Sequence, residues 1–494
     1  MTCSTGNGWT MARDVADRIT AAGVAVGSAF VLGGIAASSI LAHAPWQVRA
    51  GVAAPVPVVT WQGDWGLLLW SALALAIAGG SVAYIYLLRG LWVHEDDGTP
   101  HRTLLAAILG TSGLAALCAA SFPVLFSSDV YAYGWYGDLA LHGLSPYVHT
   151  AVQPFDALMR ASVQQWGNPP PMSVYGPFFT WLSAGIVHLA APLGTAAQLD
   201  AFRVLASLSL LACAALAFAA TQGWELRRRL VLSAGIALNP VAIWTCAEGH
   251  NDALMLAVVL AGAVLARRRH LFAGACTITL SVLVKATGLA AAALLLVDAS
   301  VKRGNGGLRR TALGGALGLA GVALLSIPFE HGVAGVLVPH AHYAPVFSPQ
   351  WMAWQLTALI LPAGAPAMAV GCTLVVLGAG ALMLRGLRMA RAGTRSGYAV
   401  IALGAWLIFP NAYPWYVLWV LPLALLAVDS RAGLTLLALT LTSAIRYVFD
   451  AAYGNGNVAY NFVAALLQYA PPLLLLLGPP VTLPAALRSA VERE

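Results

Sequence analysis

A carboxylate and several aromatic rings share one short stretch of this chain, Ser127-Ser128-Asp129-Val130-Tyr131-Ala132-Tyr133-Gly134-Trp135-Tyr136-Gly137-Asp138. An ionised carboxylate can accept the proton of a hydroxyl group, and an aromatic ring can pack on the apolar face of a sugar. The stretch begins where an apolar run of membrane-spanning length, Thr103 to Phe126, ends. Asp129 is therefore either a general base or a charge that marks a helix end at the lipid headgroups.

Other charged side chains interrupt later apolar runs, and such positions are candidates for binding a charged substrate. His250 and Asp252 separate two apolar runs, Lys285 lies in the middle of another, and Arg446 follows one near the C-terminus. A cation at such a place can neutralise a phosphate leaving group. Each has a structural alternative, since lysine can snorkel, His250 or Asp252 can cap a helix, and arginine can anchor an interface.

The aromatic rings near these charges are the candidates for sugar binding, with amide and carboxylate groups as hydrogen-bonding partners. The residues predicted to contact a donor or acceptor sugar are Tyr131, Trp135, Tyr175, Asn251, Asp252, Tyr413 and Trp415. Tyr413 and Trp415 would equally suit an aromatic belt at the membrane surface. No D-x-D, H-E-x-x-H or Cys/His cluster occurs, so we predict neither a catalytic metal nor another cofactor.

The composition indicates a membrane protein. Of 494 residues, 60% are hydrophobic and 9% charged, and the mean hydropathy is +0.78. A soluble protein carries about a quarter charged residues. Repeated apolar runs of about 15–25 residues predict an all-α polytopic integral membrane protein in contact with the lipid bilayer. The net charge of +7 comes from basic loop clusters, and no nucleic-acid partner or nucleotide-binding loop is predicted.

The basic clusters predict the orientation in the membrane. Residues 227–229, 267–269 and 385–395 are rich in arginine and are expected on the cytoplasmic side, with both termini. The first apolar run, about 20–41, is interpreted as a retained span rather than a signal peptide. Segment 174–193 must then be a juxtamembrane or re-entrant helix, because a crossing there would put residues 227–229 outside. Asp129, His250 and Asp252 are then expected outside the cytoplasm.

Several shorter elements are also predicted. About thirty residues between two basic clusters are too few for two full crossings, so a short helical hairpin is expected with Lys285 at its tip. A second hairpin, about 398–428, is expected to carry Pro410 to Tyr416 at its tip. Residues 130–171 are interpreted as a polar outer loop with short interfacial helices, such as one at 157–166.

The order of these motifs resembles a known superfamily. The motifs are Ser128-Asp129-Val130-Tyr131-Ala132-Tyr133, His142-Gly143-Leu144-Ser145-Pro146-Tyr147, Tyr175-Gly176-Pro177, Asn239-Pro240 with Gly249-His250-Asn251-Asp252, Leu283-Val284-Lys285-Ala286-Thr287, and Asn411-Ala412-Tyr413-Pro414-Trp415-Tyr416. Over roughly residues 120–460 they resemble the GT-C glycosyltransferases. They are most similar to the bacterial α-1,6-mannosyltransferases that use polyprenyl-phosphomannose.

The resemblance implies a GT-C type fold, with about 13–14 transmembrane helices and extracytoplasmic juxtamembrane helices. It implies a single domain, 1–494, in which N-terminal spans (1–102) precede a catalytic module (103–300, with a first outer loop at 127–173) and C-terminal spans (301–494).

It also implies a plasma-membrane enzyme that transfers a sugar, with inversion, from a polyprenyl-phosphate donor to a glycan or glycolipid acceptor. Asp129 matches the family's first-loop acid and would be the general base. The donor phosphate would be bound by Lys285, Arg446, His342 and His250. Some superfamily members carry a second acid next to the first and bind a metal, but here Ser128 and Val130 flank Asp129.

Other functions remain open from the sequence. A secondary transporter also has many spans and buried charges, although it would place its site near the midplane and often contains repeats, which are not visible here. A non-catalytic glycan-binding membrane protein would not need a carboxylate near cations. A related enzyme could use polyprenyl-phosphate arabinose or glucose.

Overall fold

The computed structural model describes residues 64–93, 100–120, 127–148, 156–329, 348–409, 413–448 and 458–478, with a few short pieces besides. In these ranges all the regular elements are helices, and the pairing of extended backbone is limited to a single bridge between Tyr175 and Lys285. The predicted all-α architecture is confirmed.

The first half of the described chain contains the helices that carry the candidate site. They are α1 (Asp64–Trp92), α2 (His101–Ala120), α3 (Asp129–Leu141), α4 (Ala157–Trp166), α5 (Pro177–Ala190), α6 (Thr195–Ala220), α7 (Leu226–Ala237), α8 (Pro240–Ala247) and α9 (Asp252–Arg267).

The second half adds two helical hairpins and several long helices. They are α10 (Leu271–Leu280), α11 (Gly288–Lys302), α12 (Gly304–Ser326), α13 (Pro349–Thr357), α14 (Ala365–Arg391), α15 (Ser396–Ile408), α16 (Val417–Leu426), α17 (Arg431–Thr442) and α18 (Val458–Leu477).

Six helical segments of the described chain are long and apolar enough to cross a membrane, as expected for a polytopic protein. They are Ala74–Trp92, His101–Ala120, Thr195–Ala220, Leu226–Ala247, Gly304–Ser326 and Ala365–Arg391. Shorter apolar helices accompany them, among them the segment Pro177–Leu193 that the sequence analysis treats as non-crossing. Of the first predicted span, about 20–41, residues 20–23 and 25–27 are described and are helical, and the rest lies outside the described residues.

One broken helix, α7 followed by α8, is buried from Arg229 to Ala247. The break lies at Asn239-Pro240, because Pro240 has no N–H to continue the α7 hydrogen-bond ladder. Asn239 Oδ1 instead accepts hydrogen bonds from the N–H groups of Val241 and Ala242, at 3.0 and 3.1 Å, and so caps α8. The buried pair of helices leads the chain directly into the candidate site.

Both expected hairpins have the local structure that the sequence predicts. The chain passes from α10 through a short 3-10 turn, Ser281–Leu283, to Lys285 and then into α11. Likewise α15 is followed by the 3-10 turn Pro414–Tyr416 and by α16. The helix expected at 157–166 is present as α4, and Asp156 caps it by accepting a hydrogen bond from Met159 N at 2.8 Å.

The segment directly after Asp129, interpreted from the sequence as part of a polar outer loop with short helices, forms the helix α3, and this helix is largely buried. Its tyrosine hydroxyls and glycines make the segment look polar in sequence. In the fold the rings of Tyr133 and Tyr136 pack inward, and α3 lies against α5. A Cβ atom at Gly137 would come within 2.7 Å of the Ser183 backbone, so the glycine permits this close approach.

Candidate active site

The Asp129 carboxylate contacts residues from two distant parts of the chain. Asp129 is the first residue of α3, and its backbone N–H donates to Ser127 Oγ at 3.2 Å. Its Oδ2 atom accepts a hydrogen bond from the Tyr175 hydroxyl at 3.0 Å and lies 3.4 Å from His250 Nδ1. The Asp129 side chain is 18% exposed, so a ligand can reach it.

The surroundings of Asp129 keep it ionised. Burial alone would raise its pKa, but His250, Lys285 and the Tyr175 hydroxyl outweigh burial and lower the pKa of Asp129 below its ordinary value. The positive end of the α3 dipole acts in the same direction. An ionised carboxylate at this position is able to accept a proton.

A buried ion pair lies beside Tyr175. Lys285 Nζ donates to Asp252 Oδ1 at 2.7 Å, and the two side chains are 8% and 0% exposed. Trp419 Nε1 donates to the same oxygen at 2.6 Å. The ammonium group also lies 5.5 Å from the Tyr175 ring centre and 5.3 Å from that of Trp419, within cation–π range. Lys285 is therefore held inside the protein and does not snorkel to an interface.

The backbone joins Lys285 to Tyr175, the residue that donates to Asp129. Tyr175 and Lys285 form an antiparallel bridge, and Gly176 N donates to Val284 O at 3.0 Å. A Cβ atom at Gly176 would lie 2.1 Å from the carbonyl carbon of Leu283, far inside van der Waals contact. Glycine is thus required where the start of α5 meets the Lys285 turn.

The aromatic residues of the second hairpin stack on one another and on His250. The Trp415 ring stacks on His250 with centroids 4.1 Å apart and on Tyr413 at 4.5 Å, while Tyr416 stacks on Trp419 at 4.0 Å. Trp415 is only 8% exposed. Trp415 therefore belongs to the wall of the site rather than to an aromatic belt at the membrane surface.

Three other predicted sugar contacts differ in their placement. Asn251 is buried, and its two amide atoms have no hydrogen-bond partner among the residues the structure describes. Tyr131 is half-buried, and burial together with the charge of Glu248 raises the pKa of its hydroxyl. Trp135 is buried in a hydrophobic cluster with Leu158, so its ring is not offered to a ligand.

The remaining predicted phosphate contacts are Arg446 and His342. Arg446 is buried, and it is followed by Tyr447, whose ring lies 6.1 Å from that of Trp244. Among the hydrogen bonds and ion pairs described, none joins Arg446 to Asp129. His342 lies outside the described residues.

Asp138 is the second acid of the Ser127–Asp138 stretch. It lies within α3 and is 2% exposed. Burial, reinforced by the nearby Asp156, raises the pKa of Asp138 to about 7. Asp138 also follows Asp129 by more than two helical turns, so it does not share the same site.

Two site residues escaped the sequence analysis. Glu248 is buried and accepts hydrogen bonds from Ser127 N at 3.2 Å and Trp244 Nε1 at 3.3 Å, so it fixes the turn that precedes Asp129. An acid at the end of an apolar helix was the available signal. Trp419 lies within an apolar run, and nothing in the sequence distinguishes it from a core residue.

No group of three His, Cys, Asp or Glu side chains lies close enough to hold a metal ion in the part of the chain that the structure covers. Independence of a metal remains a prediction. The arrangement as a whole offers a partly exposed carboxylate, a buried ammonium group and stacked rings, which suits acid–base chemistry on an uncharged hydroxyl next to an anionic group.

Comparison with known proteins identifies the family. Residues 20–300 match the family model described as the N-terminal domain of α-(1→6)-mannopyranosyltransferase. This match covers more than half of the chain. The chain belongs to the α-(1→6)-mannopyranosyltransferase family. The resemblance inferred from the motifs is thereby confirmed, and the matched residues include Asp129, Tyr175, His250 and Lys285.

A curated member of this α-(1→6)-mannopyranosyltransferase family aligns with part of the chain. Over 243 residues the chain is 30% identical to α-(1→6)-mannopyranosyltransferase A of Corynebacterium glutamicum. The alignment covers 46% of this chain and 45% of that protein, so the chain spans about half the length of the relative it matches. No solved structure matches the chain.

Proposed function

We propose that this chain transfers mannose from a polyprenyl-phosphate donor to a glycan or glycolipid acceptor at the extracytoplasmic face of the plasma membrane. Membership of the α-(1→6)-mannopyranosyltransferase family supports the sugar and the reaction class. The observation that carries the proposal is the Asp129 carboxylate, which is ionised, partly exposed and joined through Tyr175 to the Lys285 turn.

Asp129 is the general base of the proposed reaction. Tyr175 and His250 both engage Oδ2, and no described residue donates a hydrogen bond to Oδ1. The acceptor hydroxyl gives its proton to Oδ1 while its oxygen attacks the anomeric carbon of the donor. The bond between that carbon and the phosphate oxygen breaks, and polyprenyl phosphate leaves. Attack opposite the leaving group inverts the configuration, so a β-phosphosugar yields an α-glycoside.

Lys285 neutralises the charge that develops on the departing phosphate. Its ammonium group is nearly enclosed, and a charge in such an environment acts more strongly than one in water. Asp252 and Trp419 hold the ammonium group in place without a donor. Arg446 and His342 are proposed as further phosphate contacts that act from the C-terminal half of the chain.

His250 has two roles in the proposal, since it lies next to Asp129 and stacks on Trp415. His250 Nδ1, 3.4 Å from Asp129 Oδ2, helps to hold the carboxylate in place and is a further proposed contact of the donor phosphate. The unpaired amide of Asn251 is suited to bind a sugar hydroxyl, and the Tyr413–Trp415 stack provides an aromatic face at the same wall. We also propose that transfer needs no metal ion, because Lys285 and Arg446 supply the positive charge that a metal would.

The decisive experiment uses membranes that contain the full-length protein. They are given radiolabelled polyprenyl-phosphomannose and a short mannoside, with polyprenyl-phosphate arabinose and glucose as competing donors. We expect a longer, α-linked mannoside from the mannose donor and none from Asp129→Asn membranes. Elongation with another sugar, or donor uptake without elongation, would contradict the proposal.

A further inference from the structure

Two guanidinium groups converge on one tryptophan at the side of the protein remote from Asp129. The Arg267 and Arg395 guanidinium carbons lie 5.6 and 5.5 Å from the centre of the Trp224 ring. Arg267 is the last residue of α9, Arg395 immediately precedes α15, and Trp224 lies in the turn between α6 and α7. Three loops that are distant in sequence therefore build this cluster.

No carboxylate neutralises the cluster. Within the described ranges neither Arg267 nor Arg395 has an acidic partner, and the same holds for the neighbouring Arg268 and Arg269. The one acid next to Trp224 in sequence, Glu225, is paired with Arg227 at 2.6 Å. Two cations next to one indole ring, without a described counter-charge, are suited to bind an added anion.

The turn after α9 shows a second unusual feature. Arg269 has φ 68°, in the left-handed region that glycine usually occupies after a helix. Its N–H and that of His270 close the turn by donating to Ala266 O and Leu265 O at 3.1 and 3.0 Å. A glycine would fit this backbone with less strain. The arginine there instead adds an exposed cation beside Arg267.

The position of the cluster indicates what the anion is. The helix α9 begins at Asp252 in the candidate site and ends at Arg267, fifteen residues later, which places the two about 22 Å apart along its axis. This distance is close to the thickness of the hydrocarbon core of a bilayer, about 30 Å. Exposed arginines beside a half-buried tryptophan at that level match a lipid headgroup layer.

We propose that Trp224, Arg267 and Arg395 form a binding site for the phosphate of an anionic phospholipid on the face opposite Asp129. Guanidinium groups bind phosphate through paired, charge-assisted hydrogen bonds. A phosphate held by both arginines links the end of α9 to the start of α15. These helices lead at their other ends to Asp252 and to Trp415, so the lipid holds together the helices that frame the site.

The test measures the unfolding midpoint of the purified full-length protein in detergent. Phosphatidylglycerol is added to one sample, phosphatidylcholine to a second and inorganic phosphate to a third. We expect phosphatidylglycerol to raise the midpoint, and 0.5 M salt to weaken the effect because the contacts are exposed. No rise with phosphatidylglycerol, or an equal rise with phosphatidylcholine or inorganic phosphate, would overturn the assignment without any variant.

Variants then locate the site. The double variant Arg267→Gln/Arg395→Gln is expected to lose the rise, and to retain less phosphatidylglycerol through gel filtration when the bound lipid is counted by mass spectrometry. The matched control is Arg309→Gln/Arg310→Gln, which removes the same charge from exposed positions of α12. An equal loss in the control would refute the Trp224 site and leave only a general attraction of basic residues to lipid.

Discussion

Lys285 donates a 2.7 Å hydrogen bond to Asp252 in a pair whose side chains are 8% and 0% exposed. A buried pair of this kind adds little net stability compared with apolar side chains of similar size, because both charges are removed from water. Removing only one partner is much more harmful. Comparing a single with a double variant of the pair therefore separates the contribution of Lys285 to stability from its contribution to sugar transfer.

Lys285→Gln should lower the free energy of unfolding by about 3–5 kcal/mol, because it leaves the Asp252 carboxylate buried without its counter-charge. Denaturant unfolding in detergent measures this loss. The double variant Lys285→Met/Asp252→Leu should recover most of the stability and still fail to transfer sugar. Transfer at the wild-type rate by the stable double variant would contradict a role of Lys285 at the donor phosphate.

Asp129→Asn should reduce the rate of sugar transfer by about 10²–10⁴-fold, because an amide cannot accept the acceptor's proton. Donor binding should remain, since other residues contact the phosphate. Single-turnover transfer and donor binding, measured on the same preparation, test both statements. Asp138→Asn is the matched control on the same helix and should keep near wild-type transfer. A folded Asp129→Asn protein with a normal rate would exclude Asp129 as the base.

Gly176→Ala should prevent normal folding or strongly destabilise the protein, because the new Cβ would lie 2.1 Å from the Leu283 backbone. The yield of monodisperse protein after extraction measures the effect. Gly185→Ala on the same helix is the control, since nothing lies within 4 Å of its Cβ position. That change should be neutral or stabilising, by up to about 1 kcal/mol. Equal yields of the two variants would contradict the required close approach.

The stability of the protein should fall as the pH rises from about 4 to about 7, in part because of Asp138. Burial and Asp156 raise its pKa to about 7 in the folded state, although His142 opposes them. The folded chain then holds the proton more tightly than the unfolded chain, and this favours folding at low pH. Asp138→Asn should flatten the pH dependence of the unfolding midpoint in this window. An unchanged profile would show that Asp138 does not titrate there.

The orientation in the membrane can be tested by cysteine labelling in a Cys-free background. A cysteine at position 249 would not serve as a probe, because Gly249 is buried and has φ +85°. His142 and Arg268 are exposed, and they lie in the predicted outer loop and in a predicted cytoplasmic cluster, respectively. An impermeant reagent added outside intact cells should label His142→Cys and spare Arg268→Cys. The opposite result would place Asp129 on the cytoplasmic side.

Residues with unusual chemistry for their surroundings were predictable from the sequence. The charged residues that interrupt or end apolar runs are Asp129, His250, Asp252 and Lys285. In the fold His250 lies next to Asp129, and Lys285 pairs with Asp252. Trp419 was not predictable in this way, because its indole looks like any core ring until Asp252 is seen beside it.

The burial of α3 was missed for a related reason. Tyrosine can face water or the interior, and only tertiary packing decides which. The ring of Tyr133 lies 4.8 Å from that of Phe179 on α5, a contact that depends on how two segments of low local periodicity meet. Hydropathy along the chain does not record such a contact.

The bridge between Tyr175 and Lys285 ties both halves of the proposed chemistry to one strip of backbone. Any shift of Lys285 toward an arriving anion also moves the residue that donates to Asp129. The proton acceptor and the leaving-group contact are thus not independent parts. In the proposed mechanism, a donor bound at Lys285 and an acceptor hydroxyl bound at Asp129 are therefore expected to affect each other.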